Sequence, residues 1–332
     1  MGVPIQIFTL KNKPNKKKRL LWRVIVSIVL ILLICINSYG LYVGNKFYKC
    51  FFEADTHKGA DLYSQYKSFI DERRYSSIHK EDVSVGSRNN YRLYGTYLVN
   101  PTPTKNTIIL LHDFSDSRYS SLKYIDMYLD KGFNILIYDS RNHGKTGGSN
   151  ITFGFLEKYD LDRWITWVAA KNKGGIIGVH GEGLGAATAL LQATLNEASR
   201  KVSFYIADSS DSNLEQLFKL KLQENYNIRN PFLVKFILFY TDKVNKYNNQ
   251  FTLKEASPIN YIKMISTPIL FIHGENDTNI PKDMSEALYN IKPDIKSIYI
   301  APKAGHLEEY ISNKHEYKEV ITKFIDSLSI QK

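Results

Sequence analysis

Short apolar segments recur along most of this chain, and their spacing predicts its secondary structure. Residues 83–85 and 92–98 alternate between apolar and polar side chains, which is typical of antiparallel strands exposed on one face. Continuous apolar runs then follow at 107–111, 134–138, 175–179, 202–206, 269–272 and 298–300, with helical stretches between them. Runs of this kind are buried on both faces, so we expect an α/β fold with a mainly parallel sheet.

A much longer uncharged run, residues 24–45, precedes these segments. At about 1.5 Å per helical residue it is long enough to cross a hydrocarbon core of about 30 Å. Residues 1–23 carry seven lysines and arginines and no acid, which predicts that this end stays in the cytoplasm and that the rest lies outside. The alternative is a cleaved signal peptide, with small residues for cleavage around Ser38-Tyr39-Gly40.

These patterns divide the chain into four parts. We expect a basic cytoplasmic tail at 1–23, a transmembrane anchor at 24–45, a juxtamembrane linker at 46–81 and a folded domain at 82–332. Within the domain, residues 209–258 interrupt the strand–helix rhythm and contain the apolar stretch 231–240, which is too short to cross a bilayer. This insertion is interpreted as a cap. Its apolar face either packs on the domain or covers an acyl chain or touches the membrane.

The formal net charge of +11 does not indicate a nucleic-acid partner, because +7 of it belongs to residues 1–23. The two cysteines, Cys35 and Cys50, lie in or beside the apolar run, so residues 51–332 can hold no disulfide and no cysteine-based metal site. We assign no cofactor and no metal.

The segment Gly181-Glu182-Gly183-Leu184-Gly185 follows a predicted strand and begins a helix of small residues. It matches the nucleophile elbow Gly-x-Ser-x-Gly, except that glycine stands at the position of the serine. Glycine has no atom that can attack a carbonyl, so the acyl-enzyme route is closed at residue 183. Glycine also enters strained backbone regions freely, so we expect the fold to tolerate the replacement.

Two further polar residues each follow a later predicted strand. Asp277 comes after the run at 269–272, and His306 comes after the run at 298–300. A carboxylate and an imidazole at the carboxyl ends of neighbouring strands can hydrogen-bond and fix the histidine tautomer. Asp208, after the preceding strand, is the alternative acid.

These motifs, together with Leu110-Leu111-His112, the segment 139–145 and Ala304-Gly305-His306, resemble the α/β-hydrolase superfamily over residues 82–330. The likeness is to its bacterial, membrane-anchored, lysophospholipase-like serine hydrolases. The resemblance implies an eight-stranded, mostly parallel sheet, with Gly183 at the nucleophile position, Asp277 as acid and His306 as base. It also implies that the backbone N–H groups of Leu184 and Phe114 form the oxyanion hole.

Asp113 departs from the pattern, because glycine often follows the histidine of this loop. Two directions are open for its side chain: toward the oxyanion hole, where negative charge must be stabilised rather than repelled, or away from it. Glu182 is expected to point away from His306 and to make a supporting hydrogen bond.

Three hypotheses follow for the function. The first is a membrane-anchored hydrolase-fold protein that has lost serine chemistry and serves in binding or regulation, with a small ester, lipid or peptide as its ligand. The second is an active hydrolase in which His306 and Asp277 use water or another nucleophile. The third is a dinucleotide-binding protein, because Gly181-x-Gly183-x-x-Ala186 fits a Gly-x-Gly-x-x-Ala pattern with Asp208 at the end of the next strand.

Overall fold

A computed structural model describes residues 16–54, 56, 68, 70–293 and 295–328. Its centre is one eight-stranded sheet in the order β1-β2-β4-β3-β5-β6-β7-β8. Strands β1, β2 and β4 pair antiparallel, and all other neighbours pair parallel. The strands are β1 (Lys80–Gly86), β2 (Arg92–Leu98), β3 (Thr107–Leu111), β4 (Asn134–Tyr138), β5 (Ile177–Glu182), β6 (Phe204–Asp208), β7 (Ile269–Gly274) and β8 (Lys296–Ala301). The predicted fold class is confirmed.

Helices cover both faces of the sheet. They are α1 (Lys16–Phe52), α2 (Glu72–Ser77), α3 (Ile125–Asp130), α4 (Glu157–Lys171), α5 (Leu184–Ser199), α6 (Leu214–Tyr226), α7 (Pro231–Asn249), α8 (Asp283–Ile291), α9 (Glu309–Ser312) and α10 (Lys314–Ser327). Short 3₁₀ segments lie at 118–124, 258–260 and 262–264.

Strand β3 shows why the continuous apolar runs form central strands. Ile109 and Leu111 face one core with helices α4, α5 and α8, whereas Ile108 and Leu110 face a second core with α3 and α10. Successive side chains of a strand point to opposite faces, so a strand covered on both sides must be apolar at every position. The parallel arrangement brings the carboxyl ends of β3, β5, β6, β7 and β8 to one edge of the sheet, where the candidate site lies.

A third core joins α1 to the cap. Helix α1 continues beyond residue 45, the end of the predicted anchor, and its last turns bury Phe47, Phe51 and Phe52 against α6 and α7. The Phe51 and Phe218 rings stack with centroids 4.1 Å apart. The region predicted as a linker therefore begins as a helix that is part of the domain. Residues 1–15 of the predicted tail and residues 55, 57–67 and 69 of the predicted linker lie outside the described residues.

Within the described residues, α1 is the helix that is long and apolar enough to cross a membrane. Its side chains are exposed from Leu20 to Tyr39, apart from the half-buried Val26, and Gly40 is the first buried residue. Twenty residues at about 1.5 Å each give about 30 Å, which matches the thickness of a hydrocarbon core.

Candidate active site

Gly183 stands at the turn between β5 and α5, with φ 49° and ψ −112°. A residue with a side chain enters this backbone region only at a cost of about 1–3 kcal/mol, whereas glycine does so freely. The N–H of Gly183 donates to the carbonyl of Asp208 at 2.9 Å, which ties the turn to the neighbouring strand β6. The elbow geometry is therefore present without a nucleophile on it.

The carboxylate of Asp113 fills the space beside this turn. A Cβ built on Gly183 would overlap Asp113 Oδ1. The same oxygen accepts the backbone N–H of Leu184 at 2.9 Å. One of the two predicted oxyanion donors, the N–H of Leu184, is thus bound to Asp113. The sequence left open whether this side chain points toward the predicted oxyanion hole, and in the structure its carboxylate binds one of the two predicted donors.

The loop that carries Asp113 is held rigidly by His112. The His112 ring accepts the N–H of Ser140 at Nε2 (2.9 Å), so Nδ1 carries the proton and donates it to the carbonyl of Asp113 (2.7 Å). Burial, with the nearby His143 ring, lowers the pKa of His112 to about 3, so this ring is neutral. The carbonyl of Phe114 lies 2.8 Å from His143 Nε2, which fixes the next residue of the loop.

Asp277 and His306 lie together, as their positions after β7 and β8 predict. Asp277 Oδ2 is 2.7 Å from His306 Nδ1, and Asp277 Oδ1 accepts the N–H groups of Asn279 and Ile280 at 2.8 and 2.9 Å. His273 Nε2 lies 3.2 Å from the same Oδ2. These contacts orient the carboxylate, and the carboxylate in turn orients the imidazole so that Nε2 faces the elbow.

On the elbow side of the ring, Nε2 of His306 faces a second carboxylate, and Asp113 Oδ2 lies 3.7 Å from it. Burial alone would lower the pKa of His306, but the two carboxylates outweigh burial and raise the pKa to about 10. Burial would likewise raise the pKa of each carboxyl, yet the hydrogen bonds and the imidazolium hold the pKa of Asp113 below its usual value and that of Asp277 well below it. At neutral pH the site is therefore an imidazolium between two carboxylates.

Glu182 points away from His306 into a buried polar cluster beneath the site. Its Oε1 lies 2.5 Å from Lys123 Nζ and accepts the Tyr124 hydroxyl at 2.7 Å. Asp208, the alternative acid, belongs to the same cluster and accepts the Tyr317 hydroxyl at 2.6 Å. Burial raises the pKa of Asp208 well above its usual value. Asp277, not Asp208, is thus the carboxylate on the imidazole.

A cavity of about 380 Å³ opens above Asp113 and His306. Apolar walls come from Phe114, Phe153 and Leu184, and polar groups include Asp211 and Lys221. The remaining lining includes residues of α1 and α6, namely Cys50, Phe51, Leu217, Phe218, Asn225 and Tyr226. The sequence did not predict that the end of α1 forms part of this wall. Gly40 and Gly44, which lie four residues apart, are a sequence signal for close helix packing that could have suggested that α1 packs on the domain.

Asp211 is a second residue that the sequence did not single out. It is 3% exposed, lines the cavity, and its Oδ2 has no hydrogen-bond partner among the described residues. Burial, together with the charge of Asp113, raises its pKa to about 7. A buried carboxyl with one free oxygen is suited to accept a hydrogen bond from a ligand.

The arrangement does not favour the dinucleotide hypothesis. Pyrophosphate binding at Gly181–Ala186 requires free backbone N–H groups at the start of α5. Here Gly183 donates to a carbonyl and Leu184 to a carboxylate, whose negative charge would repel a phosphate. Within the described ranges, no group of three or more His, Cys, Asp or Glu residues is arranged to hold a metal ion.

Comparisons with known proteins agree with this architecture. The BD-FAE family profile matches residues 159–291. A Pyrococcus furiosus esterase, Pf2001, superposes with a TM-score of 0.61 at 22% identity, covering 76% of this chain and 93% of that one. The ferulic-acid-bound Est1E of Butyrivibrio proteoclasticus gives a TM-score of 0.58 at 12% identity, covering 75% and 100%. Identities this low show a shared fold.

Two sequence relatives extend the comparison. The lysophosphatidylserine lipase ABHD12 of Xenopus tropicalis is 24% identical over 209 residues, which are 60% of this chain and only 52% of that protein. The uncharacterized protein YqkD of Bacillus subtilis is 32% identical over 306 residues, which are 92% of this chain and 95% of YqkD. At that identity and coverage this chain belongs to the family of YqkD, and its eight-stranded sheet has the α/β-hydrolase fold.

Proposed function

We propose that this protein is held in the cell membrane by α1, binds an ester- or lipid-like ligand in the cavity, and does not carry out serine-dependent hydrolysis. The observation that carries the proposal is the position of Asp113, whose carboxylate fills the space beside Gly183 and accepts the N–H of Leu184. Acyl transfer requires a nucleophile at the elbow and free donors for the developing oxyanion. Residue 183 offers no nucleophile, and the Leu184 N–H already binds an anion.

The charge on His306 supports the same proposal. A general base works best with a pKa near the operating pH. The pKa of His306 is raised to about 10 by its two carboxylate neighbours, so at neutral pH the ring already carries the proton it would have to accept. Direct activation of water by His306 and Asp277 is therefore disfavoured while Asp113 is ionised.

The ligand class rests on the cavity and on the relatives. Aromatic and aliphatic walls with a few polar groups are typical of sites for small, partly apolar ligands. Esterases share the fold, and the ABHD12 relatives are lysophosphatidylserine lipases. An ester or a lipid with one acyl chain is the ligand we infer.

Retention of α1 is supported by its packing. Cleavage near Ser38-Tyr39-Gly40 would leave the last turns of α1 without the rest of their helix, although these turns bury Phe47, Phe51 and Phe52 in the cap core. Basic residues at the start of α1, from Lys16 to Arg23, favour a cytoplasmic N-terminus and place the folded domain outside.

A fluorophosphonate serine probe tests the loss of serine chemistry. We expect no labelling of this site in the native chain and little in Gly183→Ser, because Asp113 occupies the space of the new side chain. The double variant Gly183→Ser/Asp113→Gly frees that space and the Leu184 N–H, and should gain labelling by at least ten-fold. Adding His306→Gln should remove the gain. Labelling of the native chain within the cavity would contradict the proposal.

A second candidate function is supported by the orientation of the Asp113 carboxylate. Oδ1 rests on the Leu184 N–H, whereas Oδ2 faces His306 and the cavity. Carboxylates are established enzyme nucleophiles. In this candidate Oδ2 attacks a saturated carbon, forms a C–O bond and expels the leaving group with its electron pair, which gives an ester on Asp113.

The second half of that reaction uses the remaining groups. Ester formation removes one of the two negative charges beside His306, so the pKa of His306 falls and the imidazole can release its proton to solvent and become a base. It then takes a proton from water, the hydroxide adds to Asp113 Cγ, and the negative charge develops on Oδ1, which the Leu184 N–H already faces. Collapse of this intermediate breaks the bond between Cγ and the alcohol oxygen, which takes the proton from His306 and leaves as the alcohol. The Asp113 carboxylic acid that remains then gives its proton to His306, which restores the carboxylate and the imidazolium.

Mass spectrometry separates the two candidates. An epoxide or alkyl halide should leave an alkyl ester on Asp113 in His306→Gln, where hydrolysis is blocked, and none in Asp113→Asn. In the native chain, turnover in ¹⁸O-labelled water should place ¹⁸O in the Asp113 carboxylate. If neither adduct nor ¹⁸O is found with either class of reagent, the second candidate fails and the binding function stands.

A further inference from the structure

The cap helix α7 runs beside α1 in the same direction, and the two helices form a close pair. The rings of Phe236 and Tyr39 stack with centroids 6.5 Å apart, and the Tyr240 hydroxyl donates to Asn37 Oδ1 at 2.9 Å. A Cβ on Gly40 would overlap the Tyr240 ring, so glycine is needed for this approach. These contacts fix the position of α7 along the axis of α1.

The first turn of α7 carries exposed apolar side chains. Phe232 is 85% exposed and Leu233 is 46% exposed, whereas Val234, Ile237 and Leu238 on the other side of the helix are buried. The backbone of Tyr240 packs at Gly44. Counting back along both helices at about 1.5 Å per residue brings Phe232 level with Ile36, within the uncovered apolar part of α1.

We propose that the tip of the cap, residues 229–236, is a second and shallow membrane contact that enters the outer leaflet beside α1. Phe232 and Leu233 would lie a few ångströms below the level of Gly40, the first buried residue of α1. Amphipathic segments of this kind bury their apolar side chains about 5–10 Å into the interface. Exposed Tyr39 and Tyr42 on α1, at 63% and 70%, are typical of the same level.

The charge of the tip fits a leaflet with anionic headgroups. Arg229 and Lys235 flank the apolar turn and are exposed, and the first acid after them in the chain is Asp242. On the facing helix α6, Glu224 pairs with Lys221 at 3.3 Å. Each basic residue near an anionic surface contributes about 1 kcal/mol of attraction.

This contact would tie the active-site cavity to the membrane surface. Helix α6 lines the cavity from Leu217 to Tyr226 and ends shortly before the tip. Helix α1 lines the cavity at Cys50 and leads from there to the membrane. The inference rests on the retained anchor of the proposed function and not on the chemistry of the site.

Site-directed spin labelling of the full chain in nanodiscs tests the contact. In a Cys35→Ala/Cys50→Ala background, a nitroxide is placed at Phe232→Cys, at Met264→Cys as a matched exposed site (57%) outside the tip, and at Leu32→Cys as a marker of the anchor. The bilayer is phosphatidylcholine with phosphatidylglycerol. We expect the label at 232 to collide at least two-fold more with oxygen than with a water-soluble nickel complex, as at 32, and the reverse at 264.

The outcomes are distinguishable. A label at 232 that behaves like the one at 264, while the label at 32 is in lipid, overturns the membrane contact and leaves the anchor in place. A label at 32 that is accessible to nickel overturns the anchor itself. Replacing Arg229 and Lys235 with glutamine should reduce the immersion of 232 with phosphatidylglycerol present and leave it unchanged in phosphatidylcholine alone; equal loss in both bilayers contradicts the electrostatic part.

Discussion

Gly183 and Asp113 are matched to each other, because the Asp113 carboxylate fills the space that a side chain at residue 183 would need. Both residues also differ from the serine hydrolase pattern that the sequence resembles, with glycine at the predicted nucleophile position and a carboxylate where glycine often stands. The two departures together produce a site in which a carboxylate, fixed by the Leu184 N–H, faces a protonated His306.

Gly183→Ala should destabilise the fold by two separate effects. The positive φ costs about 1–3 kcal/mol for alanine, and overlap with Asp113 adds about 1–3 kcal/mol. Gly132→Ala is the matched control, since its φ is +81° but nothing lies within 4 Å of the added Cβ. Thermal unfolding in detergent should show the larger loss for Gly183→Ala, and Asp113→Gly should remove the excess. Equal losses for both alanine variants would rule out the overlap.

The imidazole of His306 should remain protonated through neutral pH and lose its proton only near pH 10. Its pKa in the folded chain lies above the ordinary value of 6.5, so its contribution to stability is complete below that pH and is lost as the pH rises through about 10. Asp113→Asn should lower the midpoint, while Asp126→Asn, which removes a surface partner of Arg74, should not. NMR of labelled histidine measures both, and an unchanged midpoint in Asp113→Asn would contradict the two-carboxylate arrangement.

Lys123→Met should destabilise the chain by about 3–5 kcal/mol, because it leaves Glu182 charged and buried without its ion pair. The double variant Lys123→Met/Glu182→Gln removes both charges and should recover most of the loss. Chemical denaturation of the three variants measures the coupling. A double variant that is less stable than Lys123→Met would mean that the cluster does not depend on charge pairing.

Phe52→Ala should destabilise the contact between α1 and the cap by about 3–5 kcal/mol, since Phe52 is fully buried among aromatic rings. Leu32→Ala, on the exposed part of the same helix at 55% exposure, should change stability by less than about 0.5 kcal/mol. Thermal unfolding of the full chain in detergent compares them. Similar small effects would show that α1 is only a tether.

The sequence determined the strands and the location of the site for a direct physical reason. Central parallel strands are apolar at every position, so runs such as 107–111 and 269–272 identify them locally, and the carboxyl ends of parallel strands meet at one edge. This is why the sequence could place Gly183, Asp277 and His306 near one another, whereas a lost nucleophile at Gly183 stays a prediction.

Only the tertiary structure decided how Asp113 and the end of α1 are used. Residue order gives the loop that carries Asp113 but not the direction of its side chain, which depends on His112 and on the space left by a glycine seventy positions away in the chain. The apolar run of residues 24–45 reads locally as one membrane span, yet Gly40 and Gly44 are covered by Tyr240 because contacts distant in sequence outweigh local pattern. The local pattern of apolar residues shows which positions are buried. Only the fold determines which residues or surroundings bury them.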